Sequence, residues 1–150
     1  MYCVKKTKYG KGVFATVDFS PAQPIMKFSG PKISYAQVLR KKNTDNPLQI
    51  SARRYADIVK PGLYVNHSCE PNCGLLPNLM LVAIKPIKAG DQLSFDYSTT
   101  MDEDTRTGFV CKCGAKACRT YIDGFATLPK RKQRFYLEHN VVQRFLRSPR

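Results

Sequence analysis

The chain is predicted to be a mainly β domain built from many short strands, with a small amount of helix added. Three observations carry this. Turn signals rich in Gly, Pro and Asn recur every eight to twelve residues, and stretches with helical periodicity are few. Leu79 to Ile84 is a run of six apolar residues, the pattern of a strand buried on both faces. At 150 residues, 43% of them hydrophobic, the chain fits one folded domain with a single modest core.

Tyr2 to Lys6 reads as a strand, Tyr9-Gly10-Lys11-Gly12 as a tight turn, and Val13 to Asp18 as a second, half-buried strand. Pro21 and Pro24 interrupt the chain before a strand at Ile25 to Phe28, which Gly30-Pro31 closes. Ser34-Tyr35-Ala36-Gln37 has the form of a helix capping box, and Tyr35, Val38 and Leu39 share one face of the helix expected after it. Short strands are expected around Leu48 to Ser51 and Tyr55 to Val59, between the turns Asn46-Pro47 and Pro61-Gly62. Beyond the apolar run, Pro86 to Asp91 is a turn and Gln92 to Tyr97 a strand leading out of it. The tail reads helical twice. One helix runs from Pro129, at a first-turn position, to about Glu138; the other starts near Asn140 with Val141, Val142, Phe145 and Leu146 as its apolar stripe.

Net charge is +14 and unevenly placed: Lys5, Lys6, Lys8 and Lys11 form one cluster, Arg40, Lys41, Lys42, Arg53 and Arg54 a second, and the tail from Lys130 a third. Such an excess favours acidic partners, nucleic acid above all. Asp91, Asp96, Asp102, Glu103 and Asp104 run the other way and hold five of the eleven acids. No apolar run approaches a membrane span, and the N-terminus lacks the apolar core of a signal peptide. The expected compartment is therefore the cytoplasm, or the nucleus of the source or of a host cell, and no membrane partner is expected.

Asn66-His67-Ser68-Cys69-Glu70-Pro71-Asn72-Cys73 crowds amides, an imidazole, a hydroxyl and two thiols around a proline turn, between apolar Leu63, Tyr64, Val65 and Leu75, Leu76. Polar groups this dense in such a setting call for a ligand. Six cysteines in a reducing compartment argue for metal or structural thiols over a disulfide framework. Cys111, Cys113 and Cys118 place three thiols within eight residues around Gly114, close enough for one turn to wrap a tetrahedral ion. A structural zinc site then lacks one ligand, which Cys69 or Cys73 can supply; the plain alternative is three unlinked cysteines. Gly10-Lys11-Gly12 by itself is either a hairpin turn or a close backbone approach to a cofactor.

Together these segments resemble the SET-domain lysine methyltransferases. Gly10 to Ala15, Asn66 to Cys73 and Leu93-Ser94-Phe95-Asp96-Tyr97 occur in the family's order, followed by the Cys-x-Cys-x4-Cys of a post-SET zinc module from Cys111 to Cys118. The stretch Ile122 to Pro129 also looks like the ending of small microbial members. The resemblance covers nearly the whole chain, and the asparagine–histidine loop, Phe-Asp-Tyr and the three cysteines are its specific part.

The resemblance implies a knot-like active site in which the Asn66 loop and the Phe95–Tyr97 segment thread together. Residues 1–100 would form the SET domain with an insert at about 34–62, residues 101–124 the post-SET zinc module, and residues 125–150 a helical tail. S-adenosylmethionine is expected on one face, bound by Gly10, Lys11, Gly12, Asn66, His67 and Tyr97. A protein substrate is expected on the other, its lysine entering a channel lined by Phe28, Tyr64 and Phe95 towards Tyr97, the catalytic tyrosine. Structural zinc would take Cys69, Cys111, Cys113 and Cys118, leaving Cys73 spare. Phe95 implies di- or trimethylation of a histone-like or other basic protein, and Asp102-Glu103-Asp104 is expected to border the peptide groove and attract it. Phe28-Ser29-Gly30-Pro31 and Leu63 depart from the tyrosine, acid and arginine that many members carry there. Two rivals remain: a basic, zinc-stabilised module that binds nucleic acid or chromatin with a vestigial donor pocket, and a purely structural zinc protein.

Overall fold

The computed structural model describes residues 1–42, 46–102 and 108–147. Strand β1 (Tyr2–Thr7) pairs antiparallel with β2 (Gly10–Ala15), Tyr2 opposite Ala15 and Thr7 opposite Gly10. Gly10 sits at φ +113°, where a side chain would be strained, which explains the glycine at this turn. β3 (Pro24–Lys27) follows, then β4 (Lys32–Ser34), which runs straight into α1 (Tyr35–Leu39). The expected capping box is present: Ser34 Oγ accepts the Gln37 N–H, and Gln37 Oε1 accepts the Ser34 N–H at 2.8 Å. The helix is too short to bury its whole stripe, so Val38 is buried while Tyr35 and Leu39 stay exposed. β5 (Pro47–Ser51) and β6 (Arg54–Asp57) complete a sheet of order β4-β6-β5.

A 3-10 turn, Gly62–Tyr64, delivers the chain to β7 (Asn66–His67), and β8 (Cys73–Leu75) and β9 (Met80–Ala83) then form a sheet with β3 in the order β3-β9-β8. Leu81 and Ala83 are fully buried and Val82 nearly so, as a two-sided strand requires. The strand expected over Gln92 to Tyr97 is cut to β10 (Ser94–Phe95). Asp96 ends it: its side chain accepts the Ser98 N–H at 3.1 Å and turns the chain into a 3-10 helix, Tyr97–Thr100. β11 (Phe109–Val110) and β12 (Tyr121–Ile122) make a small hairpin around the cysteine cluster.

Helix α2 (Lys130–Glu138) begins behind Pro129, which stands at the cap with extended ψ and not inside the first turn. It ends in a Schellman motif: Asn140 is left-handed at φ 59°, Val141 N–H donates to Tyr136 O and Asn140 N–H to Leu137 O, both at 3.0 Å. The second tail helix does not form. Val141 and Val142 continue without helical bonds and only Arg144–Leu146 makes a 3-10 turn. Their apolar pattern serves burial against Leu76, Met80 and Val82, not a helix face. Val141 packs so closely on β8 that a Cβ at Gly74 would lie 2.4 Å from its Cγ1.

Candidate functional site

β7 and β10 lie side by side and parallel, Asn66 opposite Ser94 and His67 opposite Phe95, so the two most specific motifs of the sequence share one ladder. Asn72 locks it from outside the strands. Its amide donates to Gln92 O at 2.9 Å and its carbonyl accepts the Ser94 N–H at 3.0 Å. Asn66 Nδ2 reaches across to Lys11 O at 2.9 Å and ties the hairpin to the loop.

Between hairpin and loop opens a cavity of about 510 Å³, bounded by Thr7, Lys8 and Tyr9, by Asn66 to Ser68, and by Phe109 with Lys112. Two ammonium groups, the rings of Tyr9, His67 and Phe109, and several hydroxyl and amide groups border it. That inventory fits a ligand combining a carboxylate, hydroxyls and a flat ring. Neither expected glycine borders the cavity: a Cβ at Gly12 would stand 2.7 Å from Nε2 of Gln92, a wall residue, while one at Gly10 would meet nothing within 4 Å. Lys11 points elsewhere, with its ammonium 5.2 Å from the centre of the Tyr64 ring. Phe109 was not singled out in the sequence; an isolated aromatic in a loop-like stretch carries no spacing signal.

Tyr97 packs against two rings of the cavity wall, His67 at 5.4 Å and Phe109 at 6.0 Å between centroids. Its backbone N–H donates to His67 Nδ1 at 3.1 Å and its hydroxyl to Val65 O at 2.9 Å. On its other side Phe95 lies 4.8 Å away, with Phe28 edge-on to Phe95 at 5.9 Å. Tyr64 joins the same apolar cluster, with Lys11 and Lys60 over its ring. Phe28, Phe95 and Tyr97 therefore meet in one aromatic patch, and Tyr64 packs against the same apolar core.

His67, Cys69, Cys111 and Cys113 bring their ligand atoms within 4.8 Å of one another. Cys69 Sγ and Cys111 Sγ are 3.9 Å apart, against about 3.8 Å for two sulfurs each roughly 2.3 Å from a tetrahedral zinc ion. The Cys118 thiol borders both Cys111 and Cys113. Burial works against a charge on Cys113, yet backbone hydrogen bonds from Cys69 and Ala115 and the neighbouring thiols outweigh it and bring it down to about 7. Burial pushes Cys69 and Cys111 up. Because His67 Nδ1 accepts from Tyr97, the neutral ring carries its proton on Nε2, which faces Cys69 Sγ at 3.4 Å and donates to it. Arg119 N–H donates to the same sulfur at 3.4 Å. Burial first, then Arg119 and Lys132, hold the imidazole neutral, with its pKa down to about 4 against the pull of Asp96. Three of the four expected sulfurs, those of Cys69, Cys111 and Cys113, thus converge with His67, which donates to the Cys69 sulfur; Cys118 lies beside Cys111 and Cys113 but outside that group. Cys73, equally buried, lies in the main apolar core, where burial raises it to about 12.

Asp96 is the residue that sequence reasoning underrated. It is 1% exposed; Oδ1 accepts from Arg119 Nη2 at 2.6 Å and Oδ2 from the Tyr136 hydroxyl at 3.0 Å. The available signal was an acid wedged between Phe95 and Tyr97 in an apolar stretch. Asp102 is buried, its N–H donating to Gln49 Oε1, while Glu103 and Asp104 lie outside the described residues. Lys5, Lys6, Lys8 and Lys11 are exposed on the first hairpin, and no described helix is long and apolar enough to cross a membrane.

The family model for the SET domain matches residues 10–98. The chain is 34% identical over 96 residues to the histone-lysine N-methyltransferase Su(var)3-9 of Drosophila melanogaster, covering 52% of this chain and 15% of that protein. It is also 34% identical over 98 residues to histone-lysine N-methyltransferase SUV39H2 of Gallus gallus, covering 49% of this chain and 23% of that one. The chain therefore spans less than a quarter of the length of either relative. The methyltransferase domain of human histone-lysine N-methyltransferase SETMAR shares the fold: TM-score 0.67 at 24% identity, covering 82% of this chain and 58% of that structure.

Proposed function

The chain belongs to the SET-domain family, and from that premise we propose that it methylates the ε-amine of a lysine in a protein substrate with S-adenosylmethionine as donor. One observation carries the reading. The polar cavity and the Phe28–Phe95 aromatic patch meet at a single residue, Tyr97, whose backbone is tied to one and whose ring lines the other. S-adenosylmethionine would supply a methyl group already activated as a sulfonium. Lys8 and Lys112 suit its carboxylate, Phe109 its adenine, and the Asn66–Ser68 backbone its polar edge.

What the chain itself must do is modest but strict. A lysine amine at pH 7 has to lose a proton, at a cost of about 4.6 kcal/mol from its reference pKa near 10.4. An apolar channel disfavours the ammonium and lowers that cost. Phe28 and Phe95 are both buried and provide such walls. Tyr97 is a poor general base at neutral pH, so its task is alignment: the Val65 carbonyl fixes its hydroxyl, which then meets the amine in one orientation. Phe95 offers no hydroxyl to hold a water beside the amine, which leaves room for a methylated nitrogen and favours di- or trimethylation. A histone-like or other basic protein is the substrate class.

For structural zinc the ligands are Cys69, Cys111, Cys113 and Cys118, within a module spanning residues 101–124 between the SET domain and the 125–150 tail. The tautomer of His67 argues against a nitrogen ligand. A nucleic-acid-binding module without catalysis would account for the exposed lysines of the first hairpin but gives Tyr97 and its aromatic patch no task; we assign Lys5, Lys6 and Lys11 to holding the enzyme near nucleic-acid-bound substrates. Labelled methyl transfer to a lysine-rich protein tests the reading. Tyr97→Phe is expected to lower the rate about a hundredfold, the size of loss that misalignment of reacting groups brings, and equal rates would remove Tyr97 from the mechanism.

A further inference from the structure

The tail helix reaches this site at a point that the methyl-transfer reading leaves unused. Tyr136 is buried in the apolar cluster of Val82, Val141 and Val142, yet its hydroxyl donates to Asp96 Oδ2 at 3.0 Å. One turn earlier on the same face of α2, Lys132 Nζ donates to the carbonyl of Cys69. Other parts of the C-terminal segment hold the short helix that follows Tyr97. Ser98 Oγ donates to Asp123 O at 2.6 Å, Phe125 N–H to Met101 O at 2.9 Å and Gln143 N–H to Thr99 O at 3.1 Å.

Packing alone does not require a phenol at this place, because phenylalanine would fill the cluster as well. A buried hydroxyl aimed at a buried carboxylate costs desolvation of both, which the charge-assisted bond between them offsets. Asp96 is also well placed to pass that bond on. It directly precedes Tyr97, it caps the 3-10 helix through Ser98, and its Oδ1 lies 3.7 Å from the His67 Nδ1 that accepts the Tyr97 N–H.

We propose that Tyr136 is a positioning residue: through Asp96 it sets the placement of Tyr97 and of the His67 ring, which makes α2 a working part of the site. The proposal rests on the reading of that site as a methyl-transfer centre. Without the Tyr136 hydroxyl, Oδ2 is a buried charge that must turn towards another donor, and the backbone of Tyr97 moves with it.

Tyr136→Phe keeps the ring and removes only this bond. Val82→Ala disturbs the same apolar cluster without touching Asp96's hydrogen bonds, and serves as the control. At a temperature where both variants are folded, Tyr136→Phe is expected to lower kcat about tenfold, the effect of one hydrogen bond to a charged group, with a smaller fall in donor affinity by calorimetry, because His67 also borders the donor cavity. Val82→Ala is expected to lower Tm and keep kcat. Amide exchange at Ser98 and Thr99 should quicken in Tyr136→Phe and not in Val82→Ala. Wild-type kcat in Tyr136→Phe, or an equal fall in Val82→Ala, overturns the proposal. If the wild type transfers no methyl group, the methyl-transfer reading has failed, and exchange still decides the coupling: faster exchange at Ser98 and Thr99 supports it and unchanged protection refutes it.

Discussion

Leu75, Leu81, Ile87 and Leu93 fill the main core with hydrocarbon, whereas beside the buried Cys69 and Cys111 the fully apolar buried side chain among the described residues is Ile122. Each fully buried aliphatic side chain contributes roughly 1.5–3 kcal/mol, so the first cluster can sustain its sheets unaided. The second holds a hairpin of two-residue strands, too small for independent stability. On the zinc reading proposed above, the sulfur centre would supply further stabilisation, since structural zinc is worth about 10–16 kcal/mol in small modules. One loop carries both solutions. Cys69 and Cys73 are each 0% exposed and four residues apart, but one joins the sulfurs and the other the hydrocarbon. Burial does not separate a ligand from a core thiol; the company of other sulfurs and of N–H donors does.

The contrast breaks most sharply if metal is removed. Chelation, or Cys69→Ser, is expected to release residues 108 to 122 and to open the donor cavity with them, because Phe109 and Lys112 form part of its wall. Amide exchange should rise through β11 and β12 while β9 stays protected, and donor binding should be lost; a chelated protein that binds donor normally sinks the idea. Next in size, Leu75→Ala should cost about 2–5 kcal/mol by denaturant unfolding while zinc content stays the same. Gly74→Ala sharpens the boundary between main core and tail. Its new methyl meets Val141, so a loss of about 1–3 kcal/mol is expected, and an unchanged midpoint would show that Val141 can move aside. The smallest effect belongs to Cys73→Ala, at about 1 kcal/mol with zinc content and methyl transfer intact. Zinc loss in that variant would reassign the fourth ligand.

Much of the site was legible because its chemistry is local. The capping box at Ser34–Gln37 depends on residues within hydrogen-bonding reach along the chain and formed as read, whereas the turn expected over Tyr9 to Gly12 closes at Lys8–Tyr9, because Gly10 to Gly12 already pair with β1. The Asn66 loop and the Phe95–Tyr97 segment were recognisable as motifs, although their parallel pairing joins residues 28 positions apart in sequence (Ser94 and Asn66). Phe109 and Tyr136 were not legible as site residues, since each is an ordinary aromatic until the fold sets it against His67 and Asp96.

The sequence by itself determined a β-rich chain, a loop in need of ligands, a thiol cluster one ligand short and a surplus of exposed positive charge. Only the tertiary structure decided which loop cysteine meets the cluster, that the His67 ring faces the Cys69 sulfur, and that the last valines pack on Leu76, Met80 and Val82 without forming a helix. The reason is physical. Turn and cap preferences are set by a few neighbouring dihedrals and hydrogen bonds. Long-range burial outweighs those preferences wherever two distant segments compete for the same buried space.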